Sequence, residues 1–92
     1  MEFNQTLLFK EDLEKALCYY LEIDRDLASG FLDEIERMEK HLSSFPLASP
    51  LTKTPPIRKF LLKRYPYRIR YSFEENEIIL LSLENMKQNK SL

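Results

Sequence analysis

The hydrophobic pattern of the chain changes its period near Phe45, and this change constrains the fold more than any other feature. Before Phe45, apolar residues recur at spacings of three and four, as on one side of a helix. Beyond residue 56 they alternate with polar residues, as in a strand. The segment between the two parts, "SSFPLASPLTKTPP", holds four of the five prolines, which disfavour both helix and strand. The sequence therefore predicts a helical half, a connector and a sheet half.

Two amphipathic helices are predicted before the connector. Thr6 can cap the first helix because its hydroxyl can accept a hydrogen bond from a first-turn amide, and Asp24 or Asp26 can cap the second. Gly30 lies inside the second helix, where glycine costs about 1 kcal/mol relative to alanine. A close approach of the two helices would explain it. The predicted apolar stripes are Phe9, Leu13, Ala16, Leu17 and Tyr20, then Ala28, Phe31, Leu32, Ile35, Met38 and Leu42.

Three strands are predicted after the connector, and a short edge strand is predicted before the first helix. Residues 57–64 form the first of the three. In the second strand, the side chains alternate between two faces. One face holds Tyr67, Ile69, Tyr71 and Phe73, and the other holds Arg68, Arg70, Ser72 and Glu74. The third, "EIILLSL", is apolar on both faces, as expected inside a sheet. The predicted fold is α+β: a two-helix hairpin packed on one face of a small antiparallel sheet, in the order β-α-α-β-β-β.

At 92 residues the chain is expected to form one domain over residues 1–92. Its predicted parts are a helical hairpin (about 6–44), a connector (about 45–56), a sheet (about 57–84) and a C-terminal tail (85–92).

The net charge of −1 conceals an uneven distribution. Residues 1–41 hold five Lys and Arg against eleven Asp and Glu, whereas residues 42–92 hold nine against four. Residues 53–70 include seven basic residues and no acidic one. Such a stretch indicates either an anionic partner or the solvated face of a sheet, and charge alone does not separate these two interpretations.

The rare residue types exclude several kinds of site. Cys18 and His41 are the only cysteine and histidine, which excludes an intramolecular disulfide, a cysteine zinc cage and multi-histidine metal sites. We therefore expect no cofactor and no metal. The longest uncharged apolar run, residues 78–83, is far shorter than the ~20 residues of a membrane-spanning helix, and no signal-peptide pattern is present. A cytoplasmic location is expected, and Cys18 is expected to be partly buried.

With these elements in place, the chain resembles the ParE/RelE superfamily of toxins from bacterial type II toxin-antitoxin modules over nearly its whole length. The resemblance implies a small cytoplasmic toxin that forms a heteromeric complex with a cognate antitoxin, and whose target is either DNA gyrase or messenger RNA in the ribosome. The residues that carry it are Thr6, Asp12, Leu13, "YYLEID" at 19–24, "LASGFLDEIERM" at 27–38, Pro46, "IRKFLL" at 57–62, "RYPYRIRY" at 64–71 and residues 78–83.

The RNA-cleaving activity would need a base, an acid and cations around the scissile phosphate, without a metal. Arg58, Arg70 and Lys87 are the candidates to hold phosphate, and Lys53 or Lys59 could add charge. The C-terminal segment "ENMKQNK" departs from the RNA-cleaving relatives. Asn85 stands where many members have a histidine, and asparagine cannot exchange a proton near neutral pH. The family pattern is also lost at Gln88 and Lys90.

Three hypotheses follow, and the first is preferred. In the first, the chain is a non-enzymatic toxin that binds gyrase through a basic sheet face. In the second, it is a ribosome-dependent and metal-independent endoribonuclease. In the third, it is a degenerate member that binds an antitoxin without being toxic. The residues proposed to bind the target are Arg58, Lys63, Arg64, Arg68, Arg70 and Lys87. In all three cases an acidic and apolar antitoxin segment is expected to cover exposed apolar surface by helix docking or strand addition.

Overall fold

The order of elements is the predicted one. The structure is a computed structural model that describes residues 2–87, and it contains two helices and four strands. They are β1 (Glu2–Gln5), α1 (Leu7–Ile23), α2 (Arg25–Ser44), β2 (Arg58–Leu61), β3 (Tyr67–Glu74) and β4 (Glu77–Asn85). The β-α-α-β-β-β order and the α+β class are confirmed, while β2 is shorter than the predicted strand over residues 57–64.

Side-chain caps define the helical hairpin. The Thr6 hydroxyl accepts a hydrogen bond from the Phe9 amide at 3.1 Å, and the Asp24 carboxylate accepts one from the Asp26 amide at 2.9 Å. Asp24 is both the C-cap of α1 and the N-cap of α2, so a single residue ends one helix and begins the next. Most of the predicted apolar stripe is buried, but Leu32 is exposed, and Leu13 and Leu17 are only half-buried.

The sheet is mixed, where a purely antiparallel sheet was expected. The strand order is β1-β4-β3-β2; β2 pairs antiparallel with β3 and β3 pairs antiparallel with β4, but β1 runs parallel to β4. No hairpin turn joins β1 to β4, because the helices, the connector and two strands separate them in the chain. The direction of β1 is therefore not imposed by a turn. The predicted interior position of β4 is confirmed.

A bulge ties the start of α1 to the centre of the sheet. In β4, Ser82 lies opposite Arg70 and Leu80 opposite Tyr71, so Leu81 is an extra residue in the register. The Leu81 carbonyl accepts a hydrogen bond from the Thr6 hydroxyl at 2.9 Å, and the Leu80 carbonyl accepts one from the Thr6 amide at 3.1 Å. The residue that caps α1 thereby also fastens this helix to β4.

Gly30 is explained by a tyrosine and not by the approach of the two helices. A Cβ atom at Gly30 would lie 2.6 Å from the hydroxyl oxygen of Tyr65, which enters from the turn between β2 and β3. The Tyr65 hydroxyl donates a hydrogen bond to the Leu27 carbonyl at 2.8 Å. The ring also packs edge-on against Tyr20 and Phe31. The glycine leaves room for this tyrosine to cross the helix backbone.

The remaining helix-side residues form the core. Tyr71 is fully buried, and its hydroxyl donates a hydrogen bond to the Pro46 carbonyl at 2.9 Å, which fastens the connector to the sheet.

In contrast to the expectation, Cys18 is exposed on the outer side of α1.

Candidate functional site

A basic cleft lies on the face of the sheet opposite the helices. It has a volume of about 280 Å³ and is lined by residues of the connector, β2 and β3. The lining residues of this basic cleft are Thr52, Lys53, Thr54, Lys59, Arg68 and Arg70. Four cationic side chains therefore converge on one concave surface.

Strand register brings the cations of β2 and β3 together. Lys59 lies directly opposite Arg70, and side chains at opposite positions of antiparallel strands project from the same face. Tyr67, Ile69 and Tyr71 occupy the alternate positions of β3 and are buried on the helix side. The pleat thus places alternate residues of one strand in the core and in the cleft.

The connector is held against the edge of β2 by backbone hydrogen bonds. The Thr52 amide donates to the Ile57 carbonyl at 2.8 Å, and the Lys59 amide donates to the Pro50 carbonyl at 3.1 Å. The Thr52 hydroxyl also accepts a hydrogen bond from the Thr54 amide at 3.1 Å. These contacts form a tight turn at residues 52–54 and fix the backbone of Lys53 beside the cleft.

One carboxylate, Glu84 of β4, contacts the arginines. Its Oε1 atom accepts a hydrogen bond from Nε of Arg68 at 2.7 Å, and its Oε2 atom lies 3.7 Å from an Nη atom of Arg70. Both arginine side chains are about one third exposed, so the pairs remain partly solvated. One carboxylate does not balance four cations. Like charges directly opposite in a sheet, as at Lys59 and Arg70, are destabilising, and such a local conflict is typical of a functional surface.

The residues proposed from the sequence to bind the target do not all share this face. Arg68 and Arg70 line the basic cleft. Arg58 lies opposite Tyr71, on the helix side of the sheet, and its guanidinium donates hydrogen bonds to the carbonyls of Leu47 at 3.2 Å and Ser49 at 2.7 Å. Its observed contacts brace the connector.

The other three lie elsewhere. Lys63 and Arg64 are exposed in the turn between β2 and β3, where the Arg64 amide donates a hydrogen bond to the Glu34 carboxylate at 3.2 Å. Lys87 follows β4 and lines a separate cleft beside α1, together with Lys15 and Tyr19. The three residues considered for a nuclease, Arg58, Arg70 and Lys87, are therefore not brought together.

The C-terminal segment is described only in part. The Asn85 side-chain oxygen accepts a hydrogen bond from the Lys87 amide at 2.9 Å, so this amide side chain supports the turn after β4. Gln88, Lys90 and the rest of the expected tail beyond residue 87 lie outside the described residues.

Glu84 and the two threonines of the cleft were not identified from the sequence. Glu84 meets Arg68 across β3 and β4, and this pairing depends on the bulge at Leu81, because an unbulged ladder would shift the pairing by one residue. Thr52 and Thr54 lie in a connector without periodicity. Only the run of basic residues at 53–70 pointed to this region.

Within residues 2–87, no cluster of three or more His, Cys, Asp or Glu side chains is arranged to hold a metal ion. Neither helix combines the length and the hydropathy that a bilayer crossing requires.

The comparisons with known proteins give a match at the level of structure. No protein-family model and no curated protein matches the chain. Among solved structures, the chain is similar to one in "Chromosomal ParDE TA system from P. aeruginosa", with a TM-score of 0.78 and 20% sequence identity. The match covers 92% of this chain and 95% of that chain. The fold predicted from the resemblance to ParE/RelE toxins is therefore confirmed.

Proposed function

We propose that the chain is the toxin of a bacterial type II toxin-antitoxin module, that it acts in the cytoplasm by binding DNA gyrase, and that a cognate antitoxin neutralises it. The ParE-like fold supports the toxin assignment. The observation that carries the choice of target surface is the basic cleft, in which Lys53, Lys59, Arg68 and Arg70 face away from the helices.

The cleft suits an acidic protein surface. Arginine guanidinium groups form bidentate hydrogen bonds with carboxylates. Opposite charge on the two surfaces also raises the rate of association and disfavours basic partners. An acidic target would also relieve the repulsion between Lys59 and Arg70. Lys63, Arg64 and Lys87 extend the proposed contact beyond the cleft, whereas Arg58 contributes by bracing the connector that carries Lys53.

The second candidate is a ribosome-dependent endoribonuclease, and one observation favours it. Glu84 is a carboxylate in contact with two arginines of a cleft that could hold a phosphate, so a proton acceptor and anion-binding groups lie side by side. Such a nuclease would use Arg68, Arg70 and Glu84. It would not use Asn85, whose side chain cannot exchange a proton near neutral pH. A folded but non-toxic chain is the third candidate.

Controlled expression in bacteria separates the three candidates. We expect filamentation with double-strand DNA breaks, and loss of supercoiling activity when purified protein is added to gyrase. Codon-phased cuts in messenger RNA with intact DNA would instead establish the nuclease. Unaffected growth, with the protein present and folded, would establish the non-toxic candidate.

A matched pair of variants tests the cleft itself. The double variant Lys59→Gln and Arg70→Gln removes two cleft charges and keeps the contact between Arg68 and Glu84. The control, Lys10→Gln and Lys40→Gln, removes the same net charge from exposed positions on the two helices. We expect the cleft variant to lose toxicity and the control to keep it. Equal toxicity of the two variants would contradict the proposed role of the cleft.

A further inference from the structure

A cleft on the helix side lies where α1 passes the end of β4. This α1 cleft has a volume of about 470 Å³, which is within the roughly 300–1,000 Å³ of small-molecule sites. None of its lining residues lines the basic cleft, and only Lys87 belongs also to the proposed contact with gyrase. The lining residues with polar or charged groups are Asp12, Lys15, Tyr19, Tyr67, Asn85 and Lys87.

The spacing of residues on α1 places three of these side chains along one wall of the cleft. Asp12, Lys15 and Tyr19 are separated by three and four residues, so they follow one face of the helix. At the rise of an α-helix, the distance along the axis from Asp12 to Tyr19 is about 10 Å. One mononucleotide is long enough to contact both ends of this row.

Hydrogen bonds and burial hold the walls of the α1 cleft in place. Oδ2 of Asp12 accepts a hydrogen bond from the Leu83 amide at 3.1 Å, and within residues 2–87 the Oδ1 atom accepts none. The hydrogen bond from the Lys87 amide to the Asn85 side chain fixes the backbone of Lys87 at the rim. Tyr67 is buried and belongs to the core. A ligand would therefore meet a largely preorganised surface.

Tyr19 presents an aromatic ring that the core does not cover. Its side chain is 57% exposed. The ring meets that of Tyr20 edge to face, with centroids 5.2 Å apart and planes at 70°. Such a contact leaves at least one face of the Tyr19 ring free of Tyr20. An exposed aromatic face is a platform on which any nucleobase can stack.

The charged residues of the α1 cleft match the other parts of a nucleotide. Lys15 and Lys87 are its cations, and within residues 2–87 neither forms an ion pair. Lysine ammonium groups bind phosphate, and a carboxylate such as that of Asp12 is a recurrent partner of ribose hydroxyl groups. The ring, the cations and the carboxylate thus correspond to base, phosphate and sugar.

We propose that the α1 cleft binds a free mononucleotide. The base stacks on Tyr19, and a ribose hydroxyl donates a hydrogen bond to Oδ1 of Asp12. The phosphate accepts hydrogen bonds from Lys15 and Lys87. This binding depends neither on gyrase nor on an antitoxin.

The experiment titrates the full chain with adenosine monophosphate (AMP) and follows the backbone NMR signals. We expect the signals of Lys15, Tyr19 and Asn85 to shift with one dissociation constant, while those of Lys59 and Arg70 in the basic cleft stay unchanged. Adenosine and inorganic phosphate each make only part of the contacts and should bind at least about fivefold more weakly. The 2′,3′-dideoxy form of AMP should also bind more weakly, because it offers Asp12 no hydroxyl group.

Matched variants at exposed positions of α1 assign the contacts. Tyr19→Leu removes the ring and keeps an apolar side chain, whereas Tyr19→Phe keeps the ring. We expect AMP binding to weaken about fivefold or more in the leucine variant and to stay unchanged in the phenylalanine variant. Lys15→Gln should weaken binding of AMP by about two- to fivefold and leave binding of adenosine unchanged. Lys10→Gln removes the same charge from α1 outside the cleft and is its control.

The proposal is overturned if AMP does not bind at millimolar concentration, if it shifts only signals of the basic cleft, or if phosphate alone binds as tightly. Equal AMP binding by Tyr19→Leu and Tyr19→Phe would also overturn it. If a trinucleotide binds more tightly than AMP and shifts the signals of both clefts, the ligand is a nucleic-acid chain and not a free nucleotide. Toxicity is measured separately, so a failure here does not contradict the proposed action on gyrase.

Discussion

Tyr71 and Arg70 are neighbours in β3, but they belong to surfaces with opposite properties. On the helix side, Tyr71 is fully buried and hydrogen-bonded, and no buried side-chain polar atom within residues 2–87 lacks a partner. On the open side, Arg70 faces Lys59 and shares one carboxylate with Arg68. One face is organised for stability, whereas the other retains a repulsion that an anionic partner would relieve. Substitutions should therefore affect stability on the helix side and binding on the open side.

The largest expected effect on stability comes from Tyr71→Ala. The substitution removes a fully buried ring and the hydrogen bond to the Pro46 carbonyl, so we expect the free energy of unfolding to fall by about 3–5 kcal/mol. Tyr71→Phe keeps the ring and should lose only about 1 kcal/mol. Urea denaturation of the purified variants measures both values. A loss below 1 kcal/mol for the alanine variant would contradict the assignment of Tyr71 to the core.

Gly30→Ala probes the tightest contact on the helix side. The new methyl group would meet the Tyr65 hydroxyl at 2.6 Å, so we expect a loss of about 1–3 kcal/mol from overpacking, although alanine favours a helix. In a Tyr65→Phe background the nearest remaining atom, Cζ, lies at 3.8 Å, an ordinary contact. The same substitution should then stabilise the helix by about 1 kcal/mol.

A double-mutant cycle by thermal unfolding measures this change of sign. Equal effects of Gly30→Ala in the two backgrounds would show that Tyr65 does not explain the glycine.

Alkaline pH should destabilise the helix side. Burial raises the pKa values of Tyr20 and Tyr67, which pack together with Phe31. A tyrosine in the unfolded chain ionises near pH 10, whereas these two stay protonated in the fold above that pH. The unfolded state therefore loses protons first, and the free energy of unfolding falls as the pH rises above about 10.

Denaturation between pH 8 and pH 11 measures this slope. Tyr20→Phe should reduce it relative to the natural chain, and Tyr19→Phe, at an exposed neighbouring position, is the control. An unchanged slope in Tyr20→Phe would contradict the role of the buried hydroxyl.

The helix side was largely predictable from the sequence, because its determinants are local. Thr6 and Asp24 act as caps through hydrogen bonds to amides two or three residues away, and the period of the apolar residues fixes which side of each element is buried. The explanation of Gly30 was wrong because Tyr65 reaches it across a long separation in the chain. The predicted antiparallel direction of β1 was wrong for the same reason, since no local signal determines how β1 pairs with β4.

The open side was predictable only as a concentration of charge. Arg58 and Arg70 are both basic residues in strands, and only the register of β2 against β3 places Arg58 on the helix side and Arg70 in the basic cleft. The pairing of Arg68 with Glu84 could be predicted only if the bulge at Leu81 were known, and no residue type in "EIILLSL" indicates a bulge there. A contact between strands that depends on register by one residue cannot be read from periodicity alone.

The smallest expected effect on stability, and the sharpest test of the comparison, comes from Glu84→Gln. The ion pairs with Arg68 and Arg70 are partly exposed, so their loss should change the free energy of unfolding by no more than about 1 kcal/mol. The same change leaves the cleft cations without their carboxylate, and binding to a polyanion should become stronger. On a heparin column, we expect Glu84→Gln to elute at a higher salt concentration than the natural chain, and Arg68→Gln to elute at a lower one.

Glu14→Gln, on the exposed side of α1, removes the same net charge and is the matched control. If both glutamine variants shift the elution equally, overall charge determines binding and the cleft has no special role. If Glu84→Gln alone shifts the elution and the free energy of unfolding stays nearly unchanged, the open face affects binding without affecting stability. This result is the one that the alternation of β3 requires, because the side chains on one side of the strand then determine stability and those on the other side determine affinity.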